Sequence, residues 1–513
     1  MKPHLLYRND AFDWSKQLPW NAAALDSDLS LETLFTAMAQ GDAVIFDAVQ
    51  KAILGSTTAD RESILYRQDV LREGLHHETT MHELYAIATE AMDKEKKHYL
   101  GTLARYPHWV LRDAVEQMEM FGGLLRKLRA VSDSQGRHFV SEGWTAFFGN
   151  IQDELTDEYF HDMASHLGAL KLHGPTLLSA GLDEAGRPAN YALHRSQSAQ
   201  KSFWEKLWTW LFGAKPSPNS FSINPRDEAG MRAIERIRDD GIAFVAAALA
   251  QTRDYIRDFF ADLRSEIAFY LGCANLYRAI TEKGGSICFP TPVQNAEPLL
   301  AFRGLYDAGL ALTIKGRVVG NDLDTQGCGL VIITGANQGG KSTFLRSVGL
   351  AQIMMQAGLF VTAETFCTSL CRGIFTHYAR EESAALESGK FDEELARMSA
   401  IVDRLARTSL VLLNESFAAT NEREGSEVGY QVINGLLDRG VRVICVTHLY
   451  DLARRLFEDR KETAHFLRPE RLADGSRTFR LIAGEPLATS FGADLYRTIF
   501  STPASRQHGE RHG

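Results

Sequence analysis

Eight consecutive residues, Gly335-Ala336-Asn337-Gln338-Gly339-Gly340-Lys341-Ser342, follow the spacing G-x-x-x-x-G-K-[ST]. Glycines there let successive backbone N–H groups turn toward an anion, and a following helix N-terminus adds the positive end of its dipole. The pattern suits a nucleoside triphosphate: Lys341 would reach the β- and γ-phosphates, and Ser342 would offer its hydroxyl to Mg²⁺. Hydrolysis needs a second element. Ser409-Leu410-Val411-Leu412-Leu413-Asn414-Glu415 is an apolar run ending in a polar pair, which places Glu415 to orient or deprotonate an attacking water. The position before such a Glu normally carries Asp, which holds the hydration shell of the metal. Asn414 can hydrogen-bond a metal-bound water but brings no charge, so reduced Mg²⁺ affinity or turnover is expected. A third run, Val441 to Val446, leads to Thr447-His448. Alone, His448 reads as a structural loop residue; as the third member of the ordered set Lys341, Glu415, His448 it reads as a group that senses the γ-phosphate or positions water.

These side chains must be delivered to one place by strands. Leu330 to Thr334 precedes the glycine-rich loop, and Phe344 to Val348 opens a helix after it. With Leu410 to Leu413 and Val441 to Val446, short β-rich runs alternate with helical stretches, the pattern of a parallel α/β sheet with its ligand crevice at the C-terminal strand ends. Ahead of that sheet, the first 165 or so residues carry apolar side chains at helical spacing, as in Leu31 to Leu54, Glu62 to Leu75 and Trp109 to Val131. Thr176 to Leu182 and Asn190 to His194 flank a Gly/Pro-containing turn and predict a β-hairpin. A Trp-rich stretch, Phe203 to Phe212, and a breaker-rich linker, Gly213 to Pro225, follow. Arg226 to Lys283 lacks proline and predicts one long helix, or two nearly in line, suited to a lever or coiled-coil arm. Its nine basic and ten acidic residues favour a solvated, packed helix over a DNA-gripping stripe.

The 513 residues suggest roughly three domains. A composition of 45% hydrophobic, 10% aromatic and 24% charged residues is that of globular protein. The balance of 56 Lys+Arg against 65 Asp+Glu, net −9, argues against a nucleic-acid coat, so any polyanion site must be local. The N-terminus has no signal-peptide pattern, and the longest apolar runs fall well short of the ~20 residues that span a bilayer. Six scattered cysteines suit reduced thiols in a cytosol. Cys367 and Cys371 with His377 nearby have the start of a zinc pattern, but no second close pair completes four ligands. Between Lys94 and Arg137 nine basic residues face five acids; this reads as a solvated helical surface, with a phosphate-backbone contact as the sharper alternative.

Taken together, these residues resemble the MutS family, the ATPases of mismatch repair and their relatives. Thr334 to Thr343 follows the family's T-G-x-N-x-G-G-K-S-T loop, and Asn321-Asp322 its N-D motif. Ala357 to Glu364 resembles G-x-F-V-P-A-E, Ile374-Phe375-Thr376 begins the next shared segment, and Thr447-His448 and Ser490-Phe491-Gly492 match its T-H and S-Y-G. Asn414-Glu415 with Thr420 and Gly425 matches the family's D-E region in outline, and Tyr66 to Leu71 resembles R-x-D-A-V-E of its helical core. The resemblance implies a multidomain fold: an all-α core and lever domain with a short inserted β-hairpin, then an α/β P-loop NTPase domain of the ABC type. The expected boundaries are an N-terminal segment 1–30, core and lever 31–290 (hairpin about 174–195, linker about 213–225), ATPase 291–500 and a disordered tail 501–513.

It also implies ATP and Mg²⁺ as cofactors. Gly335, Ala336, Asn337, Gln338, Gly339, Gly340, Lys341, Ser342, Thr343 and Asn321 would bind nucleotide, and Ser342, with Asn414 through water, would serve the metal. A homodimer through the ATPase domains is expected, as is a cytoplasmic role in DNA repair or DNA-structure processing. Ser388-Gly389 matches the family's signature S-G, but the serine at the fourth position, which in the family touches the partner's γ-phosphate, is missing; Ser388 or the start of the following helix is the expected substitute, with Arg397 a further candidate. The chain begins near the helical core, which leaves no room for mismatch-reading domains, and little follows Ser490, so the terminal dimerisation element is not expected. Phe203-x-Glu205 has the letters of the mismatch probe in the wrong place. The hairpin is too short for a DNA-encircling clamp, so DNA contacts should be weak and sequence-independent. Trp204, Trp208 and Trp210 suit a packed hinge, a partner interface or a membrane-surface contact. Two other functions follow from the same residues: a slow or non-hydrolysing nucleotide switch acting on a protein partner, and a membrane-attached assembly.

Overall fold

The structure, a computed structural model, describes residues 1–9, 12–56, 60–96, 106–171, 177–182, 188–194, 228–294, 298–325, 327–335, 338–380, 389–472 and 476–487. Among these the chain first forms α1 (Ala22–Leu29), α2 (Leu31–Ala39), α3 (Ala43–Gly55), α4 (Arg61–Gly74), α5 (Glu78–Glu95), α6 (Pro107–Gln135), α7 (Glu142–Glu154) and α8 (Asp157–Leu170). The stretch 31–54 divides into α2 and α3 because Gln40 and Gly41 take left-handed angles, φ 48 and 91. Asp42 then caps α3 by accepting from the Val44 and Ile45 N–H groups. Strands β1 (Leu177–Leu182) and β2 (Pro188–His194) pair antiparallel as the expected hairpin. The proline-free stretch is one 54-residue helix, α9 (Glu228–Thr281). The Trp-rich stretch, the linker and the tail lie outside the described residues.

A mixed α/β region follows this helical region: β3 (Thr291–Val293), β4 (Leu300–Leu305), α10 (Ala308–Thr313), β5 (Asn321–Asp324), β6 (Leu330–Ile333), α11 (Lys341–Gln356), β7 (Thr365–Ser369), β8 (Ile374–Tyr378), α12 (Lys390–Val402), β9 (Leu410–Asn414), α13 (Glu422–Asp438), β10 (Arg442–Val446), α14 (Tyr450–Arg460), β11 (Ala464–Arg471) and β12 (Arg477–Ala483). Six strands form one sheet in the order β12-β11-β6-β10-β9-β8, parallel except for the edge strand β12. β6, β8 and β10 are buried along their whole length, as strands covered on both faces must be. β3, β7, β4 and β5 make a second, mixed sheet.

The chain divides into two compact units. One comprises Met1–Pro3, His82–Val140 and Trp144–Arg264; the other comprises His4–Met81, Ser141–Gly143 and Ser265–Gly513. The first is held by an aromatic core in which Phe121 and Phe260 stack at 5.8 Å and Trp144 packs among Phe139, Phe147 and Phe148. In the second, N-terminal helices and the six-stranded sheet share a core. Gly349 of α11 lies where a Cβ would fall 2.7 Å from Leu412 of β9 and 2.8 Å from Leu29 of α1, so only glycine permits this helix–helix–sheet approach. Arg67 of α4 is fully buried there, donating to the Leu6 carbonyl at 3.0 Å and the Ser56 hydroxyl at 2.5 Å.

Candidate active site

Strand register brings the candidate residues to one row. Ile333 of β6 pairs with Val446 of β10 and Leu467 of β11, Val446 also pairs with Asn414 of β9, and Asn414 with Tyr378 of β8. The next residue out on each central strand therefore leaves the sheet at the same edge. The Glu415 N–H donates to the Val446 carbonyl at 2.8 Å and the Thr447 N–H to the Ile333 carbonyl at 3.1 Å. These bonds extend the ladder one step into the loops and fix where Glu415 and His448 begin.

The loop between β6 and α11 has left-handed backbone at Gly335, Gln338 and Gly340, φ 116, 62 and 87. Gly340 is the N-cap of α11, which starts at Lys341. The Lys341 ammonium is buried and donates to the Gly335 carbonyl at 2.6 Å, closing the loop on itself. Burial lowers its pKa, while the Glu415 carboxylate acts in the opposite direction. The Ser342 hydroxyl donates to Asn414 Oδ1 at 3.0 Å. This puts the two predicted metal-side residues in contact as neutral oxygen donors, a set that suits a hydrated Mg²⁺. Ala336 and Asn337 lie outside the described residues, as do Ser388 and Ser490 to Gly492.

Glu415 is half-buried, and His448 is exposed on the turn that the Thr447 hydroxyl stabilises by accepting from the Leu449 N–H at 3.0 Å. Asn321 accepts from the Leu481 N–H at 2.7 Å, which ties β5 to β12. Beside the loop, Leu310, Ile314, Phe344 and Phe479 line a cavity of about 410 Å³, to which Asn321, Gln338 and Thr343 contribute polar atoms. Apolar walls with a few hydrogen-bonding groups suit a flat heteroaromatic ring. A larger cavity of about 590 Å³ lies at the opposite strand ends, bordered by Gly329, Leu330, Val441 and Arg442. Its distance from the loop removes it from this chemistry.

Two residues escaped the sequence reading, and a third was read there in another role. Phe479 holds a left-handed conformation, φ 59, unusual for an aromatic residue, and its ring is half exposed at the cavity mouth. Arg477 donates to Gln338 Oε1 at 2.9 Å, bracing the loop from β12. His377 was visible only as a fragment of a zinc pattern; it is buried against Ser416, while Cys371 Sγ lies 2.8 Å from Gln356 Oε1. Among the described residues no group of three metal ligands occurs, and all six cysteines are free thiols. Gly389 is the N-cap of α12, and Arg397 donates to the Tyr378 carbonyl of its own chain at 3.2 Å. No helix among the described residues is long and apolar enough to cross a membrane.

Comparison with known proteins adds to this geometry. Residues 59–283 match the MutS2 N-terminal domain, and residues 331–494 match MutS domain V. The chain is 34% identical over 135 residues to the Endonuclease MutS2 of Halothermothrix orenii, a match that covers 26% of this chain and 16% of that protein. It is 33% identical over 135 residues to the MutS protein homolog 4 of Mus musculus (26% and 14%) and 33% identical over 145 residues to the DNA mismatch repair protein MutS of Clostridium botulinum (27% and 16%). The matched stretch thus spans about a sixth of the length of these relatives.

Proposed function

The chain belongs to the MutS family, and on that premise we propose that it binds ATP with Mg²⁺ at the β6–α11 loop and hydrolyses it, in DNA repair or DNA-structure processing. The observation that carries this is the shared row at the sheet edge, from which the loop, Glu415 and His448 all depart, with Ser342 in contact with Asn414. Residues 335–343 cradle the phosphates, and Lys341 exchanges its Gly335 carbonyl for phosphate oxygens. Ser342 and, through water, Asn414 would hold Mg²⁺, which when bound would supply charge neutralisation at the phosphates. Glu415 aligns the attacking water and His448 stands at the γ-phosphate end. The 410 Å³ cavity, with Phe479 at its mouth and Asn321 on its wall, takes the base.

In this reading residues 31–290 are core and lever, and 291–500 an ABC-type P-loop ATPase. Two copies pair through the ATPase domains, with Ser388 and Gly389 toward the partner's nucleotide, and ATP binding and release shift the levers between two arrangements. DNA contacts are weak and sequence-independent, and the free thiols fit a cytoplasmic setting. The test is ATP turnover with and without duplex, branched and single-stranded DNA, alongside gel shift at low salt. Turnover well above that of Lys341→Ala, with retarded DNA, is expected; no binding to any of the three forms removes the DNA role. A second reading, a nucleotide switch that hydrolyses little or no ATP and acts on a protein partner, is favoured by the uncharged Asn414. It wins if wild type binds ATP yet turns over no faster than the variant.

A further inference from the structure

The turn that carries Glu415 is strained. Glu415 and Phe417 both sit in the left-handed region, φ 55 and 65, although neither is glycine. Such residues persist only where their surroundings over-determine them. Part of the restraint comes from α13, where a Cβ on Gly425 would lie 2.3 Å from the Phe417 carbonyl oxygen. The rest comes from His377 at the end of β8, a ring wholly removed from solvent. Its Nδ1 lies 2.8 Å from the Ser416 hydroxyl, its Nε2 lies 3.0 Å from the Glu394 carbonyl of α12, and its face stacks on Phe417 at 5.6 Å. Burial holds the ring neutral by pushing its pKa down to about 4, with Arg397 adding to the effect. A carbonyl only accepts, so Nε2 carries the proton toward Glu394; the Ser416 hydroxyl, which also lies 2.7 Å from the His377 carbonyl, shares its one hydrogen between that oxygen and Nδ1. The Glu394 carboxyl is itself buried and lies near the backbone of Phe417 and Ala419 without a hydrogen bond to either. Helix α12 therefore meets the strained turn twice, through one residue five positions beyond its Gly389 N-cap.

We infer that His377 is a positioning residue for hydrolysis: its ring ties the turn that aims Glu415 to helix α12, so that the placement of the water-activating carboxylate depends on the helix that begins at Gly389. The inference rests on the role of Glu415 proposed above. It gives the nucleotide site a mechanical link to the segment proposed to face the partner subunit, through side chains that touch neither ATP nor metal.

The test compares single-turnover ATP hydrolysis and ATP affinity in the full chain and in Glu415→Gln, His377→Phe, His377→Asn and Ser416→Ala. Phenylalanine keeps the stacking on Phe417 and removes both nitrogens. His377→Phe and Ser416→Ala are expected to slow hydrolysis on the order of 10- to 100-fold, the scale of a misplaced reacting group, with ATP affinity changed less than about threefold because the β6–α11 loop is untouched. His377→Asn, whose amide reaches toward Ser416 but not Glu394, is expected to recover part of the rate. A purely structural histidine would lower the melting temperature and leave the rate of the folded protein intact. If His377→Phe does not fold, Ser416→Ala carries the comparison. Wild-type hydrolysis in both His377→Phe and Ser416→Ala, with Glu415→Gln inactive, overturns the inference and leaves the role of Glu415 standing. If Glu415→Gln hydrolyses like wild type, that role falls and the inference falls with it.

Discussion

The β6–α11 loop and the α5–α6 face both present cations, and they hold their charge in different ways. In the loop, the Lys341 ammonium is buried, donates to the Gly335 backbone carbonyl and feels the Glu415 carboxylate without an ion pair to it. On α5 and α6, Lys94 and Lys127 share Glu90, Arg112 pairs with Glu116, Arg129 with Asp133, and Lys171, just past the end of α8, with Glu119. An incoming phosphate must displace a carboxylate from each of these surface cations, whereas at Lys341 it replaces a carbonyl with a charged ligand. Counting basic residues makes the helical face the richer anion site. Asking what each cation already touches reverses that order.

Substitutions can break this contrast. Glu415→Gln should lower turnover on the order of 10²- to 10⁴-fold while keeping ATP bound, as steady-state phosphate release and nucleotide retention would measure. Lys341→Ala should cost on the order of 10²- to 10³-fold by removing the loop's cation from the developing charge. A pH effect distinguishes the sheet edge from the helical face. Burial pushes the His377 pKa in the folded protein down to about 4, from the ordinary 6.5 of an exposed imidazole. The unfolded chain thus binds more protons between those values, and folded-state stability falls as pH drops from about 7 to about 4, by up to about 3 kcal/mol. Urea midpoints against pH should show this slope in wild type and a shallower one in His377→Phe. Asn414→Asp should lower the Mg²⁺ needed for half-maximal turnover by about tenfold, through one added charge near the metal. The smallest effect belongs to the helical face: Lys94→Ala with Lys127→Ala should change DNA retention less than about twofold, because exposed pairs contribute little and both cations already share Glu90.

What was legible in the sequence follows from how local each feature is. The hairpin, the long helix α9 and the strands β6, β9 and β10 rest on short-range periodicity and turn residues, and each occurs close to where those signals place it. The ordering of Lys341, Glu415 and His448 was equally readable, because each follows its own strand and parallel register aligns the strand ends. Arg477 and Phe479 were not, since an antiparallel edge strand brings them to the loop from more than a hundred residues away. His377 was obscured for another reason. Its partners are a serine hydroxyl and a backbone carbonyl, which leave no spacing pattern in the chain. The shared core of the N-terminal helices and the sheet was hidden likewise, in single contacts such as that of Gly349 with Leu29.

The central claim is that the glycine-rich loop is a nucleotide site. Calorimetric titration of Mg²⁺–ATP into wild type and Lys341→Ala, at matched salt and with both proteins verified as folded, tests it most directly. Saturable binding to wild type, weakened at least tenfold in the variant, is the predicted result. Equal affinity in the two proteins, or no heat of binding in either, would contradict it.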